Sequence, residues 1–287
     1  MPSRLDLRRR IRSVKATEQI TKAMKMVAAA RLRRWQNRIL EARPYAEELS
    51  AVLRRLAGKV AERKHPLLQL RPERKVALVV VTGDKGLCGA FNANVLREVA
   101  AILEQRRFPE VEITLVGRKG VEYFRHRNIP VASQYLDLPG KLTPEGAFAL
   151  ARQLSAKFAS GSVDAVYVLY NQFRSLIQQK VVLEKLLPIE REKLGDGDAE
   201  LPVLFEPTPQ AILHALLPKH VEFQVWRMLL DSVAAEHAAR MVAMDAASKN
   251  AAEMIDRLTL TYNRVRQATI TKELIEIVSG AAALESR

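Results

Sequence analysis

The sequence predicts a central α/β domain carried by two very long helices, the N- and C-terminal segments, that pair as an antiparallel coiled coil. Three observations lead there. Neither glycine nor proline occurs from Ser3 to Arg43, and neither occurs from Lys219 to Ser279, whereas a typical globular helix is only about 8–20 residues long. Between these runs, from about Arg74 to Leu187, short β-branched segments alternate with helical ones, the pattern of a mostly parallel sheet covered by helices.

The N-terminal segment, 1–60, carries a seam. Ala28, Leu32, Trp35, Ile39, Ala42, Ala46, Leu49, Leu53, Leu56 and Val60 follow one another at alternating steps of four and three, the spacing of a coiled coil. Pro44 falls inside this pattern and removes one backbone donor. Because the seam keeps its phase across it, a bend is expected and not an end. Upstream, Ile20, Met24 and Ala28 step by four and four, which predicts a stripe that drifts around the helix.

In the α/β domain, 74–190, strands are expected over Val76–Thr82, Val111–Val116, Val131–Leu136, Val163–Tyr170 and Lys180–Leu186. Helices are expected over Asn94–Arg107, Lys119–Arg127 and Pro144–Phe158. The fifth strand follows so closely on the fourth that the two should pair as a hairpin. Residues 191–207, which include Gly195, Gly197, Pro202 and Pro207, read as an exposed loop. Thr208 then caps the C-terminal helical segment, 208–287, with Pro209 at its first position, and Pro218 is expected to break the helix before the long run starts.

Along that run Ala235, Ala239, Ala243, Ala247 and Ala251 recur at steps of four, small side chains that let two helix axes approach. Ile270, Leu274, Ile277, Ala281 and Leu284 resume the four-three spacing, and Val278 lies off it. At about 1.5 Å per residue the C-terminal helix outreaches its partner. Its tip is apolar on more than one face, so another protein is expected to bury it.

Composition narrows the function. No apolar stretch reaches the roughly 18 residues needed to span a bilayer. The Arg-rich start imitates a presequence, but the helical pattern begins almost at once and leaves no separate cleavable piece. Cys88 is the only cysteine, so no intramolecular disulfide can form, which fits a reducing compartment. The formal net charge is +14, and Arg4 to Arg43 holds thirteen basic residues against three acidic ones. A helix so charged suits nucleic acid, an anionic membrane surface or acidic protein.

Chemistry is harder to find. Val81 to Asn92 reads as strand, glycine-rich turn and helix, where phosphate can sit on helix amides. Yet it has neither G-x-G-x-x-G nor a P-loop lysine, and a tight strand-to-helix turn is the favoured reading. Cys88 has no histidine near it in sequence and is expected to be inert. His65, His126, His214, His220 and His237 show no metal-ligand spacing, and no paired carboxylates suit acid–base work. No catalytic residue, cofactor site or metal site is expected.

Four segments together resemble a known family: Ile20 to Ala28, the Gly86-Leu87-Cys88-Gly89 turn, Arg240 to Met244, and Tyr262 to Ala281. They are similar to the gamma subunit of the rotary F-type ATP synthase, along nearly the whole chain. The resemblance implies a non-catalytic shaft, coupling proton or other ion flow to ATP synthesis or hydrolysis. Its coiled coil would turn in a ring of three alpha and three beta subunits. A Rossmann-like α/β foot would contact the epsilon subunit and the c-subunit ring, holding the chain peripherally on the cytoplasmic face of a bacterial inner membrane. By motif match, Lys22, Met24, Lys25, Arg31, Arg33 and Arg34 would face acidic lever loops of the beta subunits, and Arg266, Gln267 and Thr271 a catch loop. Ile270, Leu274, Ile277, Val278, Ala281 and Leu284 would form an apolar bearing tip. The chloroplast-type regulatory cysteine pair is missing, Cys88 being alone. A basic coiled coil that binds nucleic acid is the alternative, although Trp35 is the only aromatic residue before Tyr45 and would give few bases a stacking surface.

Overall fold

The computed structural model describes residues 3–59, 65–189, 206 and 208–285, with side chains through Leu56 in the first helix and Ser279 in the last. Val60, nearly all of the expected loop 191–207, and the side chains of Ala281 and Leu284 lie outside the described residues. The chain divides into two compact units, Ala28–Arg240 and Met1–Val27 with Met241–Arg287.

The first helix, α1 (Arg4–Lys59), is started by Ser3. The Ser3 hydroxyl accepts the Asp6 backbone N–H at 3.2 Å, and the Asp6 carboxylate accepts the Ser3 N–H and hydroxyl at 3.3 and 2.8 Å. This reciprocal box satisfies amides that the helix leaves orphaned, and it holds the Asp6 carboxyl below its ordinary pKa. Pro44 lies inside the helix as expected.

The seam of α1 differs from its expected course. Leu7, Ile11, Val14, Glu18, Thr21, Lys25 and Ala28 are all buried or half-buried, and they continue the four-three phase without a slip down to Leu56. Ile20, expected on the stripe, is 59% exposed. The heptad was hidden because polar side chains occupy its positions at Glu18, Thr21 and Lys25, so apolar spacing alone followed the wrong face.

In the unit that contains Met1–Val27, Lys25 Nζ pairs with Asp245 Oδ1 at 2.6 Å. Lys15, Glu18 and Gln19 line a shallow cleft with Ala252, Ile255 and Asp256. One helix descends in number as the other ascends, so the pair is antiparallel. The last helix, α5 (Pro209–Glu285), here buries or half-buries Met241, Met244, Ser248, Ala251, Ile255, Leu258, Tyr262, Val265 and Thr269 at steps of three and four. Of the alanine line read from the sequence, Ala251 lies on this seam, whereas Ala243 and Ala247 flank it half-buried and Met244 and Ser248 fill it. Beyond Thr269 every described side chain is exposed.

The larger unit is built on one sheet. Strands β1 (Lys75–Val81), β2 (Glu110–Val116), β3 (Ser133–Tyr135), β4 (Ala165–Phe173) and β5 (Gln179–Leu187) lie in the order β3-β2-β1-β4-β5. All neighbours are parallel except the β4–β5 hairpin. Helices α2 (Phe91–Glu104), α3 (Arg118–His126) and α4 (Pro144–Ala159) make the crossovers. The third strand is shorter than its β-branched run suggested.

Alternation along β1 assigns the two faces. Val76, Leu78 and Val80 pack with Val95, Val99 and Ile102 of α2 and Phe124 of α3. Ala77, Val79 and Val81 face the opposite core, shared by Leu150, Leu154 and Phe158 of α4, Leu53 and Leu56 of α1, and Leu217 and Leu229 of α5. A sheet covered on both faces needs near-continuous apolar strands, which is how β1 reads.

Pro218 does not break α5 but lies inside it. Proline in a helix interior is unfavourable by about 3 kcal/mol. Leu213, Leu217 and Val221 are buried on both sides of it, and each fully buried aliphatic side chain contributes roughly 1.5–3 kcal/mol. Packing on both sides of Pro218 outweighs the lost hydrogen bond.

Candidate functional site

The carboxyl ends of β1, β2 and β3 open toward α5, and a cleft of about 440 Å³ lies there, lined by Arg31, Asp84, Lys85, Arg118, Lys141, Glu236, His237 and Arg240 among others. The glycine turn after β1 forms one wall. Gly83 N–H donates to Asn92 Oδ1 at 2.8 Å, tying the turn to the first residues of α2. A Cβ at Gly83 would stand 2.8 Å from the Glu236 carboxyl carbon, so a side chain there requires that carboxylate to shift. Leu87 has φ 60° and is 63% exposed.

The carboxylates of the cleft are held by the fold itself. Asp84 accepts the Arg118 N–H at 3.1 Å and the Gly140 N–H at 3.0 Å. The chain thus places its own anion at the start of α3, the position where a doubly wound sheet can hold a phosphate. Asp137 takes a forked pair from Arg118 at 3.1 and 2.7 Å. Glu236 pairs with Arg240 at 2.5 Å, and Arg240 also donates to Gly86 O at 3.3 Å. Burial pushes the Glu236 carboxyl up, against the pull of Arg240.

His237 completes this cluster. Its Nδ1 lies 3.2 Å from Arg240 Nη1, and since a guanidinium only donates, Nδ1 accepts and the ring is neutral. Burial, with Arg240 and Arg31 beside it, depresses the His237 pKa to about 4. The unfolded chain takes up this proton near pH 6.5, so the stability that comes from a neutral His237 is present above that pH. It is lost as pH falls toward 4, by roughly 2–3 kcal/mol. His237→Gln should flatten that part of a pH–melting curve; an unchanged slope between pH 6.5 and 4 would contradict the assignment.

Cys88 is 2% exposed. Its sulfur accepts from Asn92 Nδ2 at 3.4 Å, and burial raises its pKa, which keeps the thiol protonated and unreactive. Among the described residues no group of His, Cys, Asp and Glu is arranged to hold a metal ion, and no helix is long and apolar enough to cross a membrane.

The side chains singled out in the sequence divide between the two units. In the smaller unit Lys22 pairs with Glu18 at 2.6 Å, Lys25 with Asp245, and Met24 is half-buried. There too Arg266, Gln267 and Thr271 are exposed, as are Ile270, Leu274, Ile277 and Val278 at 45, 56, 67 and 66%. In the larger unit Arg31, Arg33 and Arg34 are exposed. Sequence reasoning passed over Glu236 and Arg227, set His237 aside for want of metal-ligand spacing, and took Arg240 only as the start of a motif. The local signal for Arg227 and Glu236 was charge at i, i+4 spacing, with Asp231 and Arg240, inside an otherwise apolar stretch of α5.

Fold and site define a class: a Rossmann-like sheet domain in a chain that begins and ends with very long helices, with the acidic groups at the sheet's carboxyl edge held by the domain itself and Arg240 of the last helix tied to the glycine turn. Comparison with known proteins makes this particular. The profile of the ATP synthase family matches residues 3–284. The ATP synthase gamma chain of Anaeromyxobacter sp. (strain Fw109-5) is 50% identical, over 99% of this chain and 100% of that one. That of Pelotomaculum thermopropionicum is 47% identical with the same coverage. A chain from the Tetrahymena thermophila mitochondrial ATP synthase central stalk and c-ring superposes with a TM-score of 0.60 at 28% identity, covering 80% of this chain and 99% of its own. The chain belongs to the ATP synthase gamma chain family, the non-catalytic central rotor subunit. Nothing in these relationships supports the nucleic-acid alternative.

Proposed function

We propose that this chain is the shaft of a bacterial ATP synthase, turning inside three alpha and three beta subunits and standing, with an epsilon subunit, on a ring of c subunits. It would then sit peripherally on the cytoplasmic face of the membrane. The observation that carries this reading is the end of α5: Ile270, Leu274, Ile277 and Val278 are apolar yet exposed. The seam phase that ends at Thr269 would continue through Lys272, Glu276 and Ser279, so these apolar side chains lie off it. A helix apolar on a second face needs a second partner. Ala281 and Leu284 extend the same line in the sequence.

The beta-subunit levers would be acidic and meet the basic collar. Arg31, Arg33 and Arg34 are the informative positions. Lys22 and Lys25 already hold Glu18 and Asp245, so reversing them disturbs the coil as well as any contact. Arg33→Glu with Arg34→Glu should leave the fold intact, since exposed charges contribute about 0–1 kcal/mol to stability. In the assembled enzyme the pair should lower ATP-driven ion pumping per ATP hydrolysed. An unchanged pumping ratio would make the collar a solvated face. Arg266, Gln267 and Thr271 would meet the catch loop, and alanine at each should slow rotation-coupled turnover without changing the melting temperature of the free chain.

A further inference from the structure

Where α5 crosses the β4–β5 hairpin, one guanidinium meets three hydrogen-bond acceptors and a further carboxylate. Arg227 Nη2 donates to Glu184 Oε1 on β5 at 2.7 Å, and Nη1 faces the Tyr170 hydroxyl on β4 at 3.4 Å. Nε donates to Gln224 at 2.9 Å, and Asp231 lies 3.8 Å from Nη1, both on α5 itself. Tyr170 is fully buried and gives its own proton to Glu184 Oε2 at 2.7 Å. Both carboxylate oxygens are thus committed, and helix, fourth strand and fifth strand meet in one closed set of directional bonds.

Around this set the contact between α5 and the sheet is apolar, through residues such as Val225, Met228 and Leu229 against Val166 and Val168. Apolar contact resists separation, but it is non-directional and opposes sliding or twisting weakly. A forked, charge-assisted bond fixes both distance and orientation. In a rotor subunit, torque must pass between the long helix and the sheet. We propose that Arg227 is the positioning residue that keys α5 to the sheet against twist, acting through Glu184 and Tyr170. This rests on the rotor role, and nothing in the glycine-turn cleft is needed for it.

The test uses the complete enzyme with the alpha–beta ring fixed to a surface and a probe on the sheet domain, reading the angular spread of the probe while rotation is paused. Arg227→Met combined with Glu184→Met and Tyr170→Phe removes the polar set while keeping its volume, a change that is often neutral for stability. We expect hydrolysis to stay within about twofold and the angular variance to widen by about twofold as the directional bonds are lost. Arg227→Lys keeps the charge without the fork and should fall between. Unchanged variance in the triple variant overturns the proposal. So does a triple variant that has lost hydrolysis while Arg227→Lys keeps the native variance, because the set would then serve stability alone. A native enzyme whose probe never turns would instead contradict the rotor role.

Discussion

Serine at Ile270, Leu274, Ile277 and Val278 should leave the isolated chain as stable as before and weaken its hold on the alpha–beta ring by at least about a hundredfold. These side chains are exposed in the free chain, so their removal takes nothing from its own core. If the ring buries them, each contributes roughly 1.5–3 kcal/mol of transfer free energy, reduced by the entropy lost on association. Even half of that sum exceeds the 2.7 kcal/mol or so that separates a hundredfold in affinity. Hydrogen exchange reports the same change locally, fast at residues 270–279 in the free chain and slow in the assembly. Equal affinity of the serine variant and the native chain would remove the bearing.

Gly83→Ala should destabilise the larger unit by about 2–4 kcal/mol, far more than alanine usually does at a turn. The new Cβ would stand 2.8 Å from the carboxyl carbon of Glu236 and 3.0 and 3.1 Å from its oxygens. That carboxylate cannot swing aside freely, because Arg240 holds it at 2.5 Å and is itself bound to Gly86. Displacing it strains a buried ion pair whose partner is itself tied to the glycine turn. Adding Glu236→Ala and Arg240→Met should restore most of the loss, since the obstructing carboxylate and its counter-charge leave together. Chemical denaturation of the native chain, Gly83→Ala and the triple variant measures this; no loss in Gly83→Ala, or no recovery in the triple variant, would show that the contact is not what requires glycine.

The two long helices, the parallel sheet and the hairpin were legible because each obeys a single period over many residues. What escaped did so where two demands meet on one residue. Glu18, Thr21 and Lys25 sit on the seam of α1, but their polarity sends an apolar reading toward Ile20, which is exposed. Met244 and Ser248 fill the seam of α5 while Ala243 and Ala247 of the conspicuous alanine line stand beside it. Pro218 carries a local signal to stop, and the buried residues on either side override it. The same limit applies to the site: Arg227 and Arg240 read locally as helix i, i+4 pairs with Asp231 and Glu236, and only the tertiary fold brings Glu184, Tyr170 and Gly86 to them. The motifs at both ends of the chain, by contrast, pointed to the family without any knowledge of contacts.

As an asymmetric shaft, this chain should make equivalent sites unequal. A ring of three alpha and three beta subunits alone should bind nucleotide at its catalytic sites with one affinity, because three-fold symmetry makes them equal. With the shaft inserted, no two sites meet the same face of it, and their affinities must separate, since a ligand-linked difference in contact is a difference in free energy. Nucleotide titration of the ring with and without this chain is the direct measurement. Three separated affinities only when the chain is present is the predicted result; a single affinity class in both titrations, or tight nucleotide binding by the chain alone, would contradict it.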